Sequence, residues 1–225
     1  MDNIKIFFNE NIVEWGKSNL RDFPWRKNIT PYKVLMGELL LQRTTSKQVD
    51  DVFNEFIDEY PTTKDLADSD VDKILKIVKP LGLFRRANAL FKLANQIETE
   101  HLGVIPENYT DLIKLFGVGK YIANATLCFS FDERVPIVDT NVIRIFQRFF
   151  NFKSDKKYIE SDKKIWDLAE NALPEKECRS YNYSLLDFGN LICKPKKPDC
   201  QNCILRKKCF YYNDKVLGNK HISDN

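Results

Sequence analysis

Leu112-Ile113-Lys114-Leu115-Phe116-Gly117-Val118-Gly119-Lys120-Tyr121-Ile122-Ala123 spells a helix, a glycine turn and a second helix in one short stretch. The apolar spacing predicts a first helix that ends at Phe116. A Gly-Val-Gly turn follows, and a second helix begins near Lys120. The start of that second helix points unpaired N–H groups and a positive dipole end outward. Lys120 adds a charge at the same place, so the turn suits an anion such as a DNA phosphate. The same residues also describe an ordinary helix C-cap with Gly117 in the left-handed region. Spacing leaves both readings open.

Outward from this hairpin the pattern stays helical. Apolar residues recur at three and four in Val34, Leu35, Leu39 and Leu41, in Val49, Val52, Phe53, Phe56 and Ile57, and in Leu90, Leu93, Ala94 and Ile97. No alternating strand pattern persists, so the fold class is all-α, with about ten short helices. A first helix is expected over about Ile4 to Gly16, packing on either lobe. Glu133-Arg134-Val135-Pro136 interrupts the pattern and marks a boundary. The polar residues from 213 to 225 read as a frayed tail.

Cys193, Cys200, Cys203 and Cys209 form a C-x6-C-x2-C-x5-C run. Four thiolates this close can surround one metal centre, and an iron–sulfur cluster or a structural zinc takes such a set. Zinc sites usually show two short knuckles, and here only Cys200 and Cys203 make one. Cys128 and Cys178 lie outside the run and read as buried small hydrophobes.

Two carboxylates stand out. Asp139, in Val138-Asp139-Thr140-Asn141, precedes a helix whose apolar stripe is Val142, Ile145, Phe146 and Phe149, with Arg144 and Arg148 on the other face. It is a natural N-cap. A functional carboxylate fits the same position, because the helix dipole and N–H bonds favour its ionised form, and an ionised carboxylate can stabilise an oxocarbenium-like sugar. Glu38 is a lone acid in the apolar run Met36-Gly37-Glu38-Leu39-Leu40-Leu41, facing either solvent or a pocket in which burial would raise its pKa. Gln42-Arg43-Thr44-Thr45 ends or bends that helix, either as a plain exposed end or as polar side chains that enter a groove.

The formal charge of +3 permits a nucleic-acid partner without arguing for one. No apolar run resembles a signal peptide or a membrane span, so the chain is expected to be intracellular, with no membrane partner. In that compartment six cysteines favour metal over disulfides.

Together these segments, over about Asp22 to Tyr211, resemble the helix-hairpin-helix DNA glycosylases of the endonuclease III and MutY type. The cysteine run is similar to that family's [4Fe-4S] loop. Leu115-Phe116-Gly117-Val118-Gly119 resembles its L-P-G-V-G hairpin, with Phe116 in place of the proline. Val138-Asp139-Thr140-Asn141 resembles its V-D-x-x segment, whose aspartate is catalytic. The resemblance implies two helical lobes that flank a DNA-binding cleft. Residues 22–134 would form a six-helix lobe with the hairpin at about 109–131. Residues 1–21 and 135–211 would form a smaller lobe with the cluster loop at 193–209, and 212–225 a frayed tail.

Finer features imply a branch. The bifunctional endonuclease III enzymes carry a catalytic lysine two residues after the second hairpin glycine, where this chain has Tyr121. Lys120 stands one residue earlier, a rotation of about 100° on a helix, which implies a monofunctional enzyme. Asp22-Phe23-Pro24-Trp25-Arg26, Pro31-Tyr32 and the Glu38 to Thr45 segment resemble the MutY side, where the residue matching Glu38 is a catalytic acid. MutY usually has serine at the position of Tyr121, and a long C-terminal domain that this chain is expected to lack. The string Gly117-Val118-Gly119-Lys120-Tyr121 resembles the thymine-DNA mismatch glycosylases.

The implied function is hydrolysis of the N-glycosidic bond of T or U mispaired with G, by base flipping. The alternatives are adenine removal opposite G or 8-oxoguanine, and a non-catalytic iron–sulfur DNA-binding protein. On the implied reading Asp139, Glu38 and Tyr121 are catalytic. Gln42 fills the vacated space and Arg43 contacts the widowed guanine or the backbone. Gly117, Val118, Gly119 and Lys120 hold a phosphate, with a monovalent cation at the hairpin. Cys193, Cys200, Cys203 and Cys209 hold a structural [4Fe-4S] cluster, beside a basic patch of Lys194, Lys196, Lys197, Arg206, Lys207 and Lys208. The expected partner is double-stranded DNA with a mismatched or damaged base, and the expected state is a monomer.

Overall fold

The computed structural model describes residues 2–82 and 84–217. Among them the regular elements are all helical: eleven α-helices, a few 3-10 turns and one π-helical turn. The chain divides into two compact units. A central unit spans Asp22–Glu133, and a terminal unit joins Met1–Arg21 to Arg134–Asn225.

The central unit is built around two helices that are apolar on nearly every side. α2 (Pro31–Leu40) starts with Pro31 at its first position, while the Thr30 side chain accepts the Lys33 N–H. Every residue from Val34 to Leu40 is buried. α8 (Lys120–Phe131) packs along it and is buried from Ile122 to Phe129. A helix with no polar face has to sit in the middle of its unit. The amphipathic helices surround this pair. α3 (Ser46–Glu59) turns Val49, Val52, Phe53 and Phe56 inward behind a Thr45–Gln48 capping box. α4 (Thr63–Ala67) and α5 (Val71–Val78) lie against α6 (Arg85–His101). α7 (Tyr109–Leu112) leads into α8.

In the terminal unit α1 (Asp2–Asn19) runs longer at both ends than the spacing predicts, and it packs on α11 (Cys178–Leu191). α9 (Thr140–Phe149) and α10 (Lys163–Asn171) complete the unit. Phe8 is fully buried, with its ring 4.8 to 5.6 Å from those of Phe146, Phe149 and Phe150. Such tilted and edge-on aromatic contacts add to the burial of large rings. The end of α1 is fixed by a buried ion pair. Asp187 is fully buried and accepts the Arg21 N–H at 2.8 Å and its guanidinium at 2.7 Å. Within the expected tail, Tyr212–Leu217 form the π-helical turn, and residues 218–225 lie outside the described residues.

The α1–α11 contact is close because Gly16 has no side chain. A Cβ there would stand 1.8 Å from Ser184 Oγ and 2.9 Å from Ser184 Cβ. Gly16→Ala is therefore expected to lower the denaturant midpoint, at a cost of about 1–3 kcal/mol. Adding Ser184→Gly should restore most of that loss. An unchanged midpoint in the single variant would show that the two helices do not meet at Gly16.

Candidate active site

In the central unit the first hairpin helix is shorter than expected. α7 stops at Leu112, not Phe116. Asn108 caps its start by accepting the Asp111 N–H at 3.0 Å. Beyond Leu112 the chain tightens: the Lys114 and Leu115 N–H groups bond three residues back, to Asp111 and Leu112, both at 3.1 Å. The Phe116 N–H goes to Gln96 Oε1 on α6 at 2.8 Å. A side chain distant in sequence thus replaces the next helical acceptor, which spacing alone cannot reveal. The Phe116 ring is half exposed, with the Lys92 ammonium 5.2 Å from its centroid.

The turn itself matches its residues. Gly117 has φ +80°, which favours glycine. Val118 is buried and pins the turn. Gly119 is the N-cap of α8 in an extended conformation, and no side chain caps the helix. A Cβ on Gly119 would meet nothing within 4 Å. Neither backbone strain nor packing within the unit calls for glycine there. Lys120 is exposed, and Tyr121 is half buried in the first helical turn.

The turn after α2 meets this hairpin. Gln42 Nε2 donates to the Gly117 carbonyl at 3.1 Å, so the expected wedge residue and the expected phosphate loop are neighbours. Gln42 and Arg43 are exposed, and Arg43 holds φ +55°, an uncommon conformation for a side chain of its size. Thr44 Oγ1 closes the turn on the Leu40 carbonyl at 2.6 Å. Of the two sequence readings for Glu38, the structure selects burial: it is 5% exposed within α2.

In the terminal unit Asp139 is the N-cap of α9. Its Oδ1 accepts the Val142 N–H at 2.8 Å, and its Oδ2 accepts Asn141 Nδ2 at 2.6 Å. The sequence argument expects these donors to hold it ionised. Instead, desolvation outweighs the donors and the Arg144 charge, and the carboxyl pKa rises above its usual value. A desolvated carboxylate held by two donors has a fixed orientation and a raised affinity for positive charge. Asn141 is itself fixed by Arg144 Nη2, at 2.8 Å, and Arg144 reaches on to the Gly189 and Cys193 carbonyls at 2.7 Å each.

The cysteine loop hangs from the same helix. Arg148 donates to the Lys194 carbonyl at 2.7 Å and the Pro195 carbonyl at 3.0 Å, and lies 3.4 Å from Cys193 Sγ. Its guanidinium also sits 5.0 Å from the centroid of the Tyr211 ring. Burial, together with the charges of neighbouring cysteines, pushes Cys203 up to about 12 and raises Cys200 and Cys209. The four sulfurs are thus within electrostatic reach of one another. Among the described residues, no three His, Cys, Asp or Glu side chains close around a single metal ion. Cys128 and Cys178 are buried in the two units.

Asp139 and the four cysteines belong to the terminal unit; Glu38, Gln42, Arg43, Tyr121 and the hairpin belong to the central one. Spacing had placed Arg144 and Arg148 on one helix face without a role. The clue it missed is their four-residue separation, which lets both reach a single loop. A cavity of about 680 Å³ in the terminal unit is lined mainly by Ile4, Phe149, Phe150, Phe152 and Phe210, includes Lys208 of the expected basic patch, and holds none of the expected catalytic residues or cysteine ligands.

A profile of the HhH-GPD superfamily of base excision DNA repair proteins matches residues 36–171. A thymine/uracil-DNA glycosylase of Methanothermobacter thermautotrophicus is 35% identical over 209 residues, covering 92% of this chain and 94% of its own. An adenine DNA glycosylase of Buchnera aphidicola subsp. Schizaphis graminum is 37% identical over 92% of this chain and 60% of its own. The structure of a thermostable thymine-DNA glycosylase superposes with a TM-score of 0.90 at 34% identity, covering 95% of this chain and 98% of that one.

If Gly117 is glycine for its backbone and Gly119 is not, the two should respond differently to alanine. Gly117→Ala is expected to cost about 1–2 kcal/mol in urea unfolding. Gly119→Ala is expected to stay within about 1 kcal/mol of the parent. Equal losses at both positions would refute the assignment.

Proposed function

Because this chain belongs to the HhH-GPD superfamily of base excision DNA repair proteins, we propose that it is a monofunctional DNA glycosylase that removes T or U mispaired with G, acting as a monomer on double-stranded DNA. The observation that carries this reading is Tyr121. It occupies the first turn of α8, where the resemblance places lysine in the bifunctional enzymes and usually serine in the adenine enzymes. The long match to a thymine/uracil-DNA glycosylase supports it. Adenine removal remains the second reading, favoured by an adenine relative of similar identity.

The target nucleotide must leave the stack, because its glycosidic bond is inaccessible within a duplex, and a mispaired base costs less to extrude. Gln42 fills the vacated space, and Arg43 contacts the widowed guanine or the backbone. The N–H groups at the Gly119 turn and the Lys120 ammonium hold a phosphate, alone or with a monovalent cation. The bond between C1′ and the base then breaks, and the base leaves with the electron pair. Asp139 stabilises the positive charge that develops on the sugar and takes a proton from the attacking water. Glu38 and Tyr121 contact the departing base, or the water between them, and return a proton to it. Free base and an abasic site result. Lys120 is one position from where the lyase lysine stands, so no Schiff base forms and the strand stays intact.

The four cysteines fit a [4Fe-4S] cluster better than a single zinc ion. An iron–sulfur cluster of this type takes four Cys thiolates, and the run has one short C-x2-C knuckle, Cys200 and Cys203, where zinc sites usually show two. Cys193, Cys200, Cys203 and Cys209 would hold it as a structural cross-link, since glycosidic hydrolysis oxidises and reduces nothing. Arg148 would place a positive charge beside Cys193, and the surrounding lysines would face the DNA backbone. Because burial raises the thiol pKa values, loading must displace protons and should weaken as pH falls. Cys203→Ser is expected to lose iron and the broad visible absorption, and to lower the melting temperature. Full iron retention would remove Cys203 from the ligand set.

The decisive assay uses labelled duplexes with G·T, G·U, A·8-oxoG or thymine glycol, followed by alkali. Cleavage of G·T and G·U strands only after alkali is expected. Cleavage without alkali, or of A·8-oxoG alone, would overturn the proposal. Asp139→Asn is expected to cut excision at least about 100-fold while DNA binding persists. Because burial raises the Asp139 pKa, the folded state binds its proton more tightly than the unfolded chain does. That group therefore loses the fold stability as pH climbs above the ordinary value of 3.8. The asparagine variant should melt no lower than the parent at pH 7, and its advantage should shrink as the pH falls toward 3.8.

A further inference from the structure

The geometry points to Arg86 as a positioning residue that sets the Gln42–Arg43 turn for base extrusion, an assignment that rests on the wedge role proposed for Gln42. Arg86 lies in the first turn of α6 and is only 7% exposed. Among the described residues its guanidinium forms no ion pair. Among those residues its one hydrogen bond is from Nη2 to the main-chain carbonyl of Gln42, and its buried Nη1 meets no partner there. A buried guanidinium with one acceptor and no counter-charge is expensive. An apolar side chain of similar length would fill the space without that penalty, so the cation does not earn its place by stability.

What it touches is the peptide that leads into the strained residue. Gln42 O belongs to the peptide group shared with Arg43, whose φ is +55°. Arg86 donates to the carbonyl of that peptide, while the Gln42 side-chain amide donates to Gly117 O at 3.1 Å. These two anchors, one on α6 and one on the hairpin, define both ends of the Gln42 residue. The Arg86 bond fixes the main chain and the Gly117 bond fixes the side chain. When the side chain leaves Gly117 to enter the helix, the bonds within the turn remain, from the Gln42 and Thr44 N–H groups to the Leu39 and Leu41 carbonyls and from Thr44 Oγ1 to the Leu40 carbonyl, and Arg86 is the side chain of another helix that still ties the turn's main chain. Arg86 therefore does not touch the substrate. It supports the residue that does, and it contributes to the extrusion step and not to hydrolysis of the bond.

The test compares Arg86→Met and Arg86→Lys with the parent in three measurements. The first is amide hydrogen exchange of the free protein. The methionine variant is expected to exchange faster across residues 41–45, with the second half of α6 unchanged. The second is thermal melting, where the methionine variant should melt at or above the parent. The third is single-turnover excision of T from a G·T duplex and of T opposite an abasic site, where no pair has to be broken. The methionine variant should lose at least about tenfold on the G·T duplex and under about threefold on the other. Lysine, which can still donate to the Gln42 carbonyl, should recover much of the loss. In a Gln42→Ala background the Arg86→Met loss should nearly vanish, as expected for two residues that act as one unit. Equal losses on both substrates, or unchanged exchange at 41–45, would overturn the inference. If the parent excises no base from either substrate, the functional reading fails on its own, and the exchange result alone still decides whether Arg86 holds the turn.

Discussion

The guanidinium of Arg144 is where the terminal unit holds together. It donates to the Asn141 side-chain oxygen and to the main-chain carbonyls of Gly189 and Cys193. One planar group thereby ties the start of α9, the end of α11 and the first cysteine of the loop. Arginine suits this, because its donors form a rigid fork and it stays charged when partly desolvated. The approach of α11 is equally demanding: a Cβ on Gly189 would stand 2.6 Å from Asn141 Cβ. With Asn141 held from behind, its amide has one orientation to present, and it presents it to Asp139.

That constraint explains how one short helix serves two tasks. The N-terminal end of α9 carries a carboxylate whose burial works against its charge and whose two donors fix its direction. One turn and two turns later, Arg144 and Arg148 carry the cysteine loop. A metal centre in the loop would brace α9, and through it the carboxylate, without taking part in the chemistry. The central unit solves a different problem. It has to keep a tight turn and a helix start in register, and it does so with single hydrogen bonds from distant side chains: Gln96 to Phe116, Gln42 to Gly117 and Arg86 to Gln42.

Much of this was legible before any coordinates. Helical periodicity, the cysteine run, the glycines of the hairpin and the capping position of Asp139 are local signals, and each depends on residues a few positions apart. The errors have a common cause. The helix before the hairpin ends early because Gln96, twenty residues away, takes the Phe116 N–H. Asp139 is less readily ionised than its cap position implies, because desolvation depends on everything packed around it. Nothing in the local spacing around Arg86 marks it as buried, and its burial too depends on what packs around it.

The sequence by itself determined the helical class, the four-thiol loop, the left-handed glycine at 117 and the presence of an acid at the start of α9, since these follow from backbone sterics and short-range spacing. Only the tertiary structure decided that Glu38 is buried, that Arg144 and Arg148 reach the cysteine loop, and that Gln42 is pinned between Gly117 and Arg86. Burial and long-range hydrogen bonds are set by which segments meet in space, and separation along the chain carries almost no information about that.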